Sequence, residues 1–250
     1  MFHKIKSLFM KHNRNEFNKF KDIVISRYEK IGIKFEYIIN YPKQLISPNE
    51  QIDQYATFSY WTFSKLKNFQ DLEILDLGSP RQTNLINSVH NNVTAIVLRK
   101  PIDGISNVNW VEQDASDDFV FNKNSFDVFT SPSSLHLIGQ GRYSDKKDPE
   151  ALLSFIEKLD HCMKKNSKLF LLMPMGKDQL LYGYHFIYSF ESIKKIFKKW
   201  KLKEFLVDER IIFCRNKKTR KKNLFFSQDT DTHTFGPGDY KLIYLYFEKN

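Results

Sequence analysis

The stretch Leu72–Pro80, Leu-Glu-Ile-Leu-Asp-Leu-Gly-Ser-Pro, constrains this chain more than any other. An apolar run ending in Asp-Leu-Gly-Ser reads as a strand and the tight turn after it, the opening unit of a nucleotide-type α/β sheet. Further apolar runs stand at 93–98, 108–112, 126–130 and 168–173. Parallel strands joined by crossovers bring their carboxyl ends to one edge, where bare backbone meets a ligand. A small-molecule pocket in the middle of the chain is therefore expected, and with it an enzyme.

Helical patterns surround these runs. Phe17, Phe20, Ile23, Val24, Arg27 and Tyr28 keep helical spacing, and Gln54–Lys67 reads as a second helix bearing Tyr55, Phe58, Tyr60, Trp61 and Phe63. Tyr41-Pro42 and Ser47-Pro48 predict a turn-rich connection between them. Asp148 is a suitable N-cap with Pro149 at the first helical position, before an apolar stripe of Leu152, Leu153, Phe155, Ile156, Leu159 and Met163. A later helix is expected over Phe190–Trp200. Phe205–Phe213 and Leu242–Phe247 are β-like with no helix between them, which predicts an antiparallel pair at a sheet edge. The expected fold is α/β, a doubly wound and mostly parallel sheet over 69–250, with an N-terminal helical extension or cap over 1–68.

Length and composition set outer bounds. At 250 residues, with 23 Phe, 12 Tyr and 3 Trp, the chain can bury a substantial core. The net charge of +10 suggests an anionic partner, but Lys, Asn, Phe, Ile and Tyr are abundant together, as coding bias also produces. Cys162 and Cys214 lie apart in apolar stretches, which favours buried reduced thiols over a metal site or disulfide. The N-terminus has no continuous apolar core and no run approaches a membrane span, so a cytoplasmic protein is expected. Of two basic runs, Lys194–Lys203 reads as a solvated helix face. Arg215–Lys222 is a candidate for peripheral contact with an acidic membrane surface or another phosphate-rich partner. No nucleic-acid motif accompanies either run, so no nucleic acid is expected.

Chemistry-bearing residues gather at the expected strand ends. In Asp76-Leu77-Gly78-Ser79-Pro80 a single glycine remains of a glycine-rich turn, and an ordinary strand-to-helix turn explains it equally well. Where the second strand should end in an acid for ribose hydroxyls stands Val97, with Asp103 a few residues on. Asp114 is placed to accept from an adenine amino group, or to cap a turn. After the fourth strand, His136-Leu137-Ile138-Gly139-Gln140-Gly141-Arg142-Tyr143-Ser144-Asp145 groups residues able to orient a hydroxyl or anion and remove a proton. The plainer alternative is that Arg142 and Asp145 brace that loop. His185 and Tyr188 follow the fifth strand toward the same rim.

Taken together, roughly residues 50–250 resemble the class I S-adenosylmethionine-dependent methyltransferases. More narrowly, the chain is similar to a methyltransferase-like family often encoded with bacterial surface-polysaccharide genes, whose Gly-x-Gly-Arg-Tyr-Gly-Asp-x-x-Asp-Pro segment appears as Gly139 to Pro149. Pro174-Met175-Gly176-Lys177, His185 and the aromatic stretch Tyr55–Trp61 match the same family. Its Glu-His pair before the glycine segment reads His136-Leu137 here, and Phe186 replaces an Arg after the later His. The resemblance implies a Rossmann-like seven-stranded sheet and S-adenosyl-L-methionine as cofactor. Asp76, Gly78, Ser79, Asp114 and Ser131 would line the cofactor site. His136 or His185 would be the base, with Arg142 assisting. Arg142, Tyr143, Asp145 and Tyr188 would hold a small glycan precursor. Three readings follow: a methyltransferase of a sugar, nucleotide-sugar or related precursor in capsule or surface-polysaccharide synthesis; a cofactor-free protein of the same fold assisting glycan synthesis; and nucleic-acid binding, which rests on charge alone.

Overall fold

The computed structural model describes residues 2–40, 54–101, 107–117, 121–214, 217–220 and 226–250. Tyr41-Pro42, Ser47-Pro48, Asp103 and the outer parts of the Arg215–Lys222 run lie outside the described residues. In chain order the elements are α1 (Phe2–Glu29), β1 (Tyr37–Asn40), α2 (Gln54–Leu66), β2 (Glu73–Leu77), α3 (Arg81–Asn87), β3 (Asn92–Val97), β4 (Val108–Glu112) and β5 (Phe126–Pro132). A 3-10 turn (Leu135–Leu137) precedes α4 (Ala151–Cys162), β6 (Met163–Met175), β7 (Gln179–Tyr182), β8 (His185–Ile187) and α5 (Phe190–Ile196). The chain closes with β9 (Trp200–Cys214), β10 (Lys217–Arg220), β11 (Phe226–Ser227) and β12 (Tyr240–Lys249).

Seven strands form the main sheet in the order β4-β3-β2-β5-β6-β12-β9, with β10 and β11 added to β9. Strands β2 to β6 run parallel to their neighbours, whereas β12 is antiparallel to both β6 and β9. The late antiparallel pair exists, but β12 is an interior strand rather than part of an edge. Its sequence shows why: Leu242 to Leu245 is apolar on both faces, as a strand covered on both sides must be.

Side chains alternate between two cores. Ile74, Val128, Phe170 and Tyr244 face Phe58 and Trp61 of α2. Their neighbours Leu75, Phe129, Leu171 and Leu245 face α1, α4 and α5. The period-2 alternation of each strand thus supports a helical layer on both sides of one sheet. Helix α2 belongs to that core although it precedes the first strand of the sheet.

A second, small sheet was not expected. β7 and β8 form a hairpin around Gly183, and β1 pairs parallel to β7. Phe17 and Phe20 of α1 pack edge-on against Tyr182 at 5.1 and 5.3 Å. This hairpin carries Tyr184 and His185 over the carboxyl ends of the main sheet. Other boundaries also moved. Asp148 does not cap α4 directly: its carboxylate accepts the Glu150 amide at 3.0 Å and the helix begins at Ala151. Met163, expected on that helix, opens β6, and Trp200 opens β9 because α5 ends at Ile196. Cys162 is buried, and burial pushes its thiol up to about 12, consistent with an inert reduced side chain. Among the described residues no helix is long and apolar enough to cross a membrane.

If α2 is a core element, Phe58→Ala should lower the unfolding free energy by about 3–5 kcal/mol in urea titrations. Tyr60→Ala, on the exposed face of the same helix, should stay within about 0.5 kcal/mol of the parent.

Candidate functional site

The turn after β2 is held from behind by Asp76, which is wholly buried. Its carboxylate accepts the Ser79 amide at 3.1 Å, the Ser79 hydroxyl, the Asn84 amide at 3.0 Å and the Thr130 hydroxyl at 2.6 Å. Burial pushes the Asp76 carboxyl upward while these donors pull it back. Asp76 and Ser79 therefore shape the turn rather than face the crevice. Gly78 is exposed and has φ +80°. A Cβ built on it would collide with Ser134 Oγ and lie 2.6 Å from Ser134 Cβ. The glycine is thus required by the fold itself, because Ser134 packs against its bare Cα.

Farther along the edge, among the described residues, neither Val97 nor Asp114 offers a free acceptor for a ribose or adenine. Val97 is half-buried and lies beside Glu112 of β4 in register. Asp114 accepts the Ser116 amide and the Lys146 amide, both at 2.8 Å, so it ties the segment after β4 to the rim loop. Ser131 near the end of β5 is wholly buried, and its hydroxyl has no partner among the described residues.

The 3-10 turn that begins beside Ser134 places His136 against β8. There the His136 and His185 rings meet edge to face at 5.4 Å. Tyr184 lies 4.5 Å from His185, and Tyr240 of β12 contacts the same imidazole at 5.2 Å. The Arg142 guanidinium sits over Tyr184 at 4.1 Å and near Tyr143 at 5.2 Å, close enough for cation–π attraction. His136, His185 and Arg142 are thus brought together. Tyr184, Tyr240 and Gln140 join them without having been singled out. The available signal for Tyr184 was its place beside His185 in the aromatic stretch Tyr182–Tyr188.

The rim loop is rigid by construction. Gly139 has φ +76°, and a Cβ there would run into the Asp148 carbonyl, whose own amide donates to the Gly139 carbonyl at 3.0 Å. Asp145 accepts the Gly141 amide at 3.0 Å and the Tyr143 amide at 2.8 Å, so it braces the loop rather than reaching a ligand. Buried Gln140 accepts the Gly183 amide at 3.2 Å and ties the loop to the hairpin. Tyr143 is exposed. Tyr188 is not at the rim: it is buried, its hydroxyl hydrogen-bonded to Tyr28 at 2.9 Å under α1. Of the aromatic stretch, Trp61 is a core residue whose indole donates to Glu204 at 3.2 Å.

Both imidazoles are held neutral. Burial, then the charge of Arg142, lowers His136 to about 3. Burial, His136 and Arg142 hold His185 well below the usual range. Nδ1 of His136 and Nε2 of His185 are buried without a partner among the described residues. Neutral imidazole nitrogens beside an arginine suit an acceptor bearing a hydroxyl and an anionic group. Among the described residues no group of three or more His, Cys, Asp and Glu could hold a metal ion.

Comparisons with known proteins agree on the fold. A family profile described as "Caenorhabditis protein of unknown function, DUF268" matches residues 86–202, which span the rim loop and hairpin but not Gly78. No curated protein matches the chain in sequence. Among solved structures, the chain is similar to the 1,6-didemethyltoxoflavin-N1-methyltransferase of Burkholderia thailandensis, solved with S-adenosylhomocysteine. The TM-score is 0.53 at 10% identity, over 79% of each chain. The N-methyltransferase NodS of Bradyrhizobium japonicum, also with S-adenosylhomocysteine, gives 0.51 at 9% identity over 90% of this chain and 98% of its own. The [4+2]-cyclase SpnF gives 0.51 at 12% identity over 77% of this chain and 80% of its own. The sheet is therefore a Rossmann-like methyltransferase fold.

Gly78→Ala should destabilise the protein by about 1–3 kcal/mol, from the left-handed backbone and the Ser134 contact together. Ser134→Ala in the same chain should recover part of that loss in a double-mutant cycle. Acid should also act through the histidines. Because their folded proton affinity lies below the unfolded value, the stability they permit is full above pH ~6.5 and is lost as pH falls toward ~3. Asp76, shifted upward, acts in the opposite sense. Thermal unfolding from pH 7.5 to 4.5 should show a falling melting temperature, and His136→Gln should flatten the decline.

Proposed function

We propose that this chain is an S-adenosylmethionine-dependent methyltransferase of a small hydroxyl-bearing, anionic acceptor. The observation that carries the reading is the 3-10 turn. Its first flank packs Ser134 on Gly78 at the mouth of the crevice, and its centre sets His136 against His185. On this reading the cofactor would sit at the Gly78 turn and the acceptor at the histidine–arginine cluster beside it, at the carboxyl edge of the sheet.

The residues fit the cofactor at the turn, where exposed Gly78 offers bare backbone and the unpartnered Ser131 hydroxyl lies near the end of the adjoining strand. Gly78 and Ser131 would line its site, with Asp76 and Ser79 holding the turn. Side-chain acceptors for the ribose are not built at Val97. When bound, S-adenosylmethionine supplies an already activated methyl group, so the protein need only align the acceptor and take its proton. His136 or His185 accepts a hydrogen bond from the acceptor hydroxyl. As that oxygen takes the methyl, its proton becomes strongly acidic, and even a weakly basic imidazole receives it. Arg142 holds the acceptor's anionic group with its planar guanidinium. A sugar, nucleotide-sugar or related precursor of a bacterial surface polysaccharide has both groups, and the Gly139–Pro149 segment supports that choice. A cytoplasmic site of action follows from the same reading.

Val97 and the occupied Asp114 favour a second reading, a cofactor-free protein of this fold that binds a glycan intermediate or assists its assembly. Titration with S-adenosylhomocysteine separates the two. On the first reading it should raise the melting temperature in a concentration-dependent way. Val97→Asn should then tighten binding, by on the order of 1 kcal/mol for a new hydrogen bond to ribose. Asn is chosen because an Asp would stand beside Glu112. No shift at millimolar ligand in folded protein leaves the second reading.

A further inference from the structure

Arg142 is a rim cation that no carboxylate among the described residues balances. Its neighbour Asp145 is engaged by two backbone amides, and among the described residues no acid pairs with the guanidinium. Tyr184 lies under Arg142 and also against His185, which meets His136, so the four side chains form one contiguous cluster. Each imidazole in it carries a buried nitrogen with no hydrogen-bond partner.

We infer that this cluster is a proton-coupled dianion site: a phosphoryl group on the acceptor binds beside Arg142 and draws one proton from solvent onto the His136–His185 pair. The inference rests on the reading that this rim faces the acceptor. Its chemistry is a simple balance in which one buffer proton turns one imidazole into an imidazolium, the other imidazole stays neutral as the proton acceptor of the proposed reaction, and no bond of the acceptor changes.

The charges around the pair explain why a dianion is selected. From the rim loop come Arg142, Asp145 and Lys147. From the hairpin come Tyr182 and Tyr184, and from β12 come Tyr240 and Lys241. Lys147 is paired with Glu16 at 2.8 Å and Lys241 with Glu209 at 2.8 Å, leaving Arg142 as the dominant nearby charge. Burial first, and then that charge, press both imidazoles toward the neutral form. A monoanion merely cancels Arg142. A dianion reverses the local sign, and a second cation inside the cluster then becomes favourable. Binding and protonation are linked, so each promotes the other equally.

The test uses the full-length chain without cofactor and sulfate as probe, because sulfate stays a dianion near neutrality and takes up no proton itself. Isothermal titration at pH 7 in two buffers of different ionisation heat should show saturable binding with net proton uptake approaching one. Affinity should rise by up to roughly tenfold for each pH unit lowered between 8 and 6. Acetate should bind more weakly and without uptake. Arg142→Gln should remove binding, whereas His185→Gln in folded protein should keep binding and reduce uptake. Sulfate binding with no proton uptake and no pH dependence overturns the inference, as does the absence of sulfate binding in folded parent protein. S-adenosylhomocysteine binding is measured separately. If it stabilises a chain that ignores sulfate, the inference falls and the methyltransferase reading stands; sulfate-linked proton uptake without it gives the converse.

Discussion

A buried carboxylate organises the ligand-binding edge. Asp76 stands at the end of β2 with no exposed surface, and such a group is tolerable only where hydrogen bonds replace water. Its donors come from the turn, from α3 and from β5, so one side chain fixes three elements relative to one another. With the turn fixed, Gly78 presents its bare Cα to Ser134, and the 3-10 turn takes its place against the sheet. His136 inherits its position from that chain of contacts. Replacing Asp76 by an apolar residue would leave several buried donors without acceptors, which costs more than the loss of any single hydrogen bond.

The other half of the site depends on the hairpin and its supports. Gln140 ties Gly183 to the rim loop, and Asp178 accepts the Ser189 amide at 2.6 Å and the Ser192 hydroxyl at 2.7 Å, fixing the exit into α5. On the outer side, Phe17, Phe20 and Tyr28 of α1 cover the hairpin, while Glu16 reaches Lys147 of the rim loop. An imidazole whose nitrogens lack partners keeps its place only where packing holds it. The N-terminal helix is therefore a buttress of the hairpin and the rim loop.

How far the sequence disclosed this is instructive element by element. The parallel strands were legible because a strand buried on both faces is a short continuous apolar run bounded by turn residues. The same rule applied to Leu242–Phe247 indicates an interior strand, yet the absence of an intervening helix pointed to an edge. The β1–β7–β8 sheet was not legible: its strands span four, four and three residues, too few for any period to emerge. Tyr188 was misplaced for the same reason, since its partner Tyr28 lies 160 positions away. That His136, Arg142 and His185 come together was legible because they follow strands at one edge of the sheet. Ser144 of the rim loop occupies a left-handed backbone, φ 70°, a conformation that favours glycine.

The two functional readings differ in what they ask of one crevice. Gly78 and Asp76 do not decide between them, because each is explained by contacts within the fold. Val97 weakens side-chain recognition of a ribose but leaves the backbone of the turn untouched. The histidine–arginine cluster, by contrast, is costly for a merely structural role: among the described residues it buries polar nitrogens without partners beside a guanidinium stacked on Tyr184. A ligand bound there would offset that cost, and the proposed acceptor side is common to both readings. What divides them is whether a methyl donor reaches it from the Gly78 side, a distance bridged in the sequence by the few residues from Ser134 to His136.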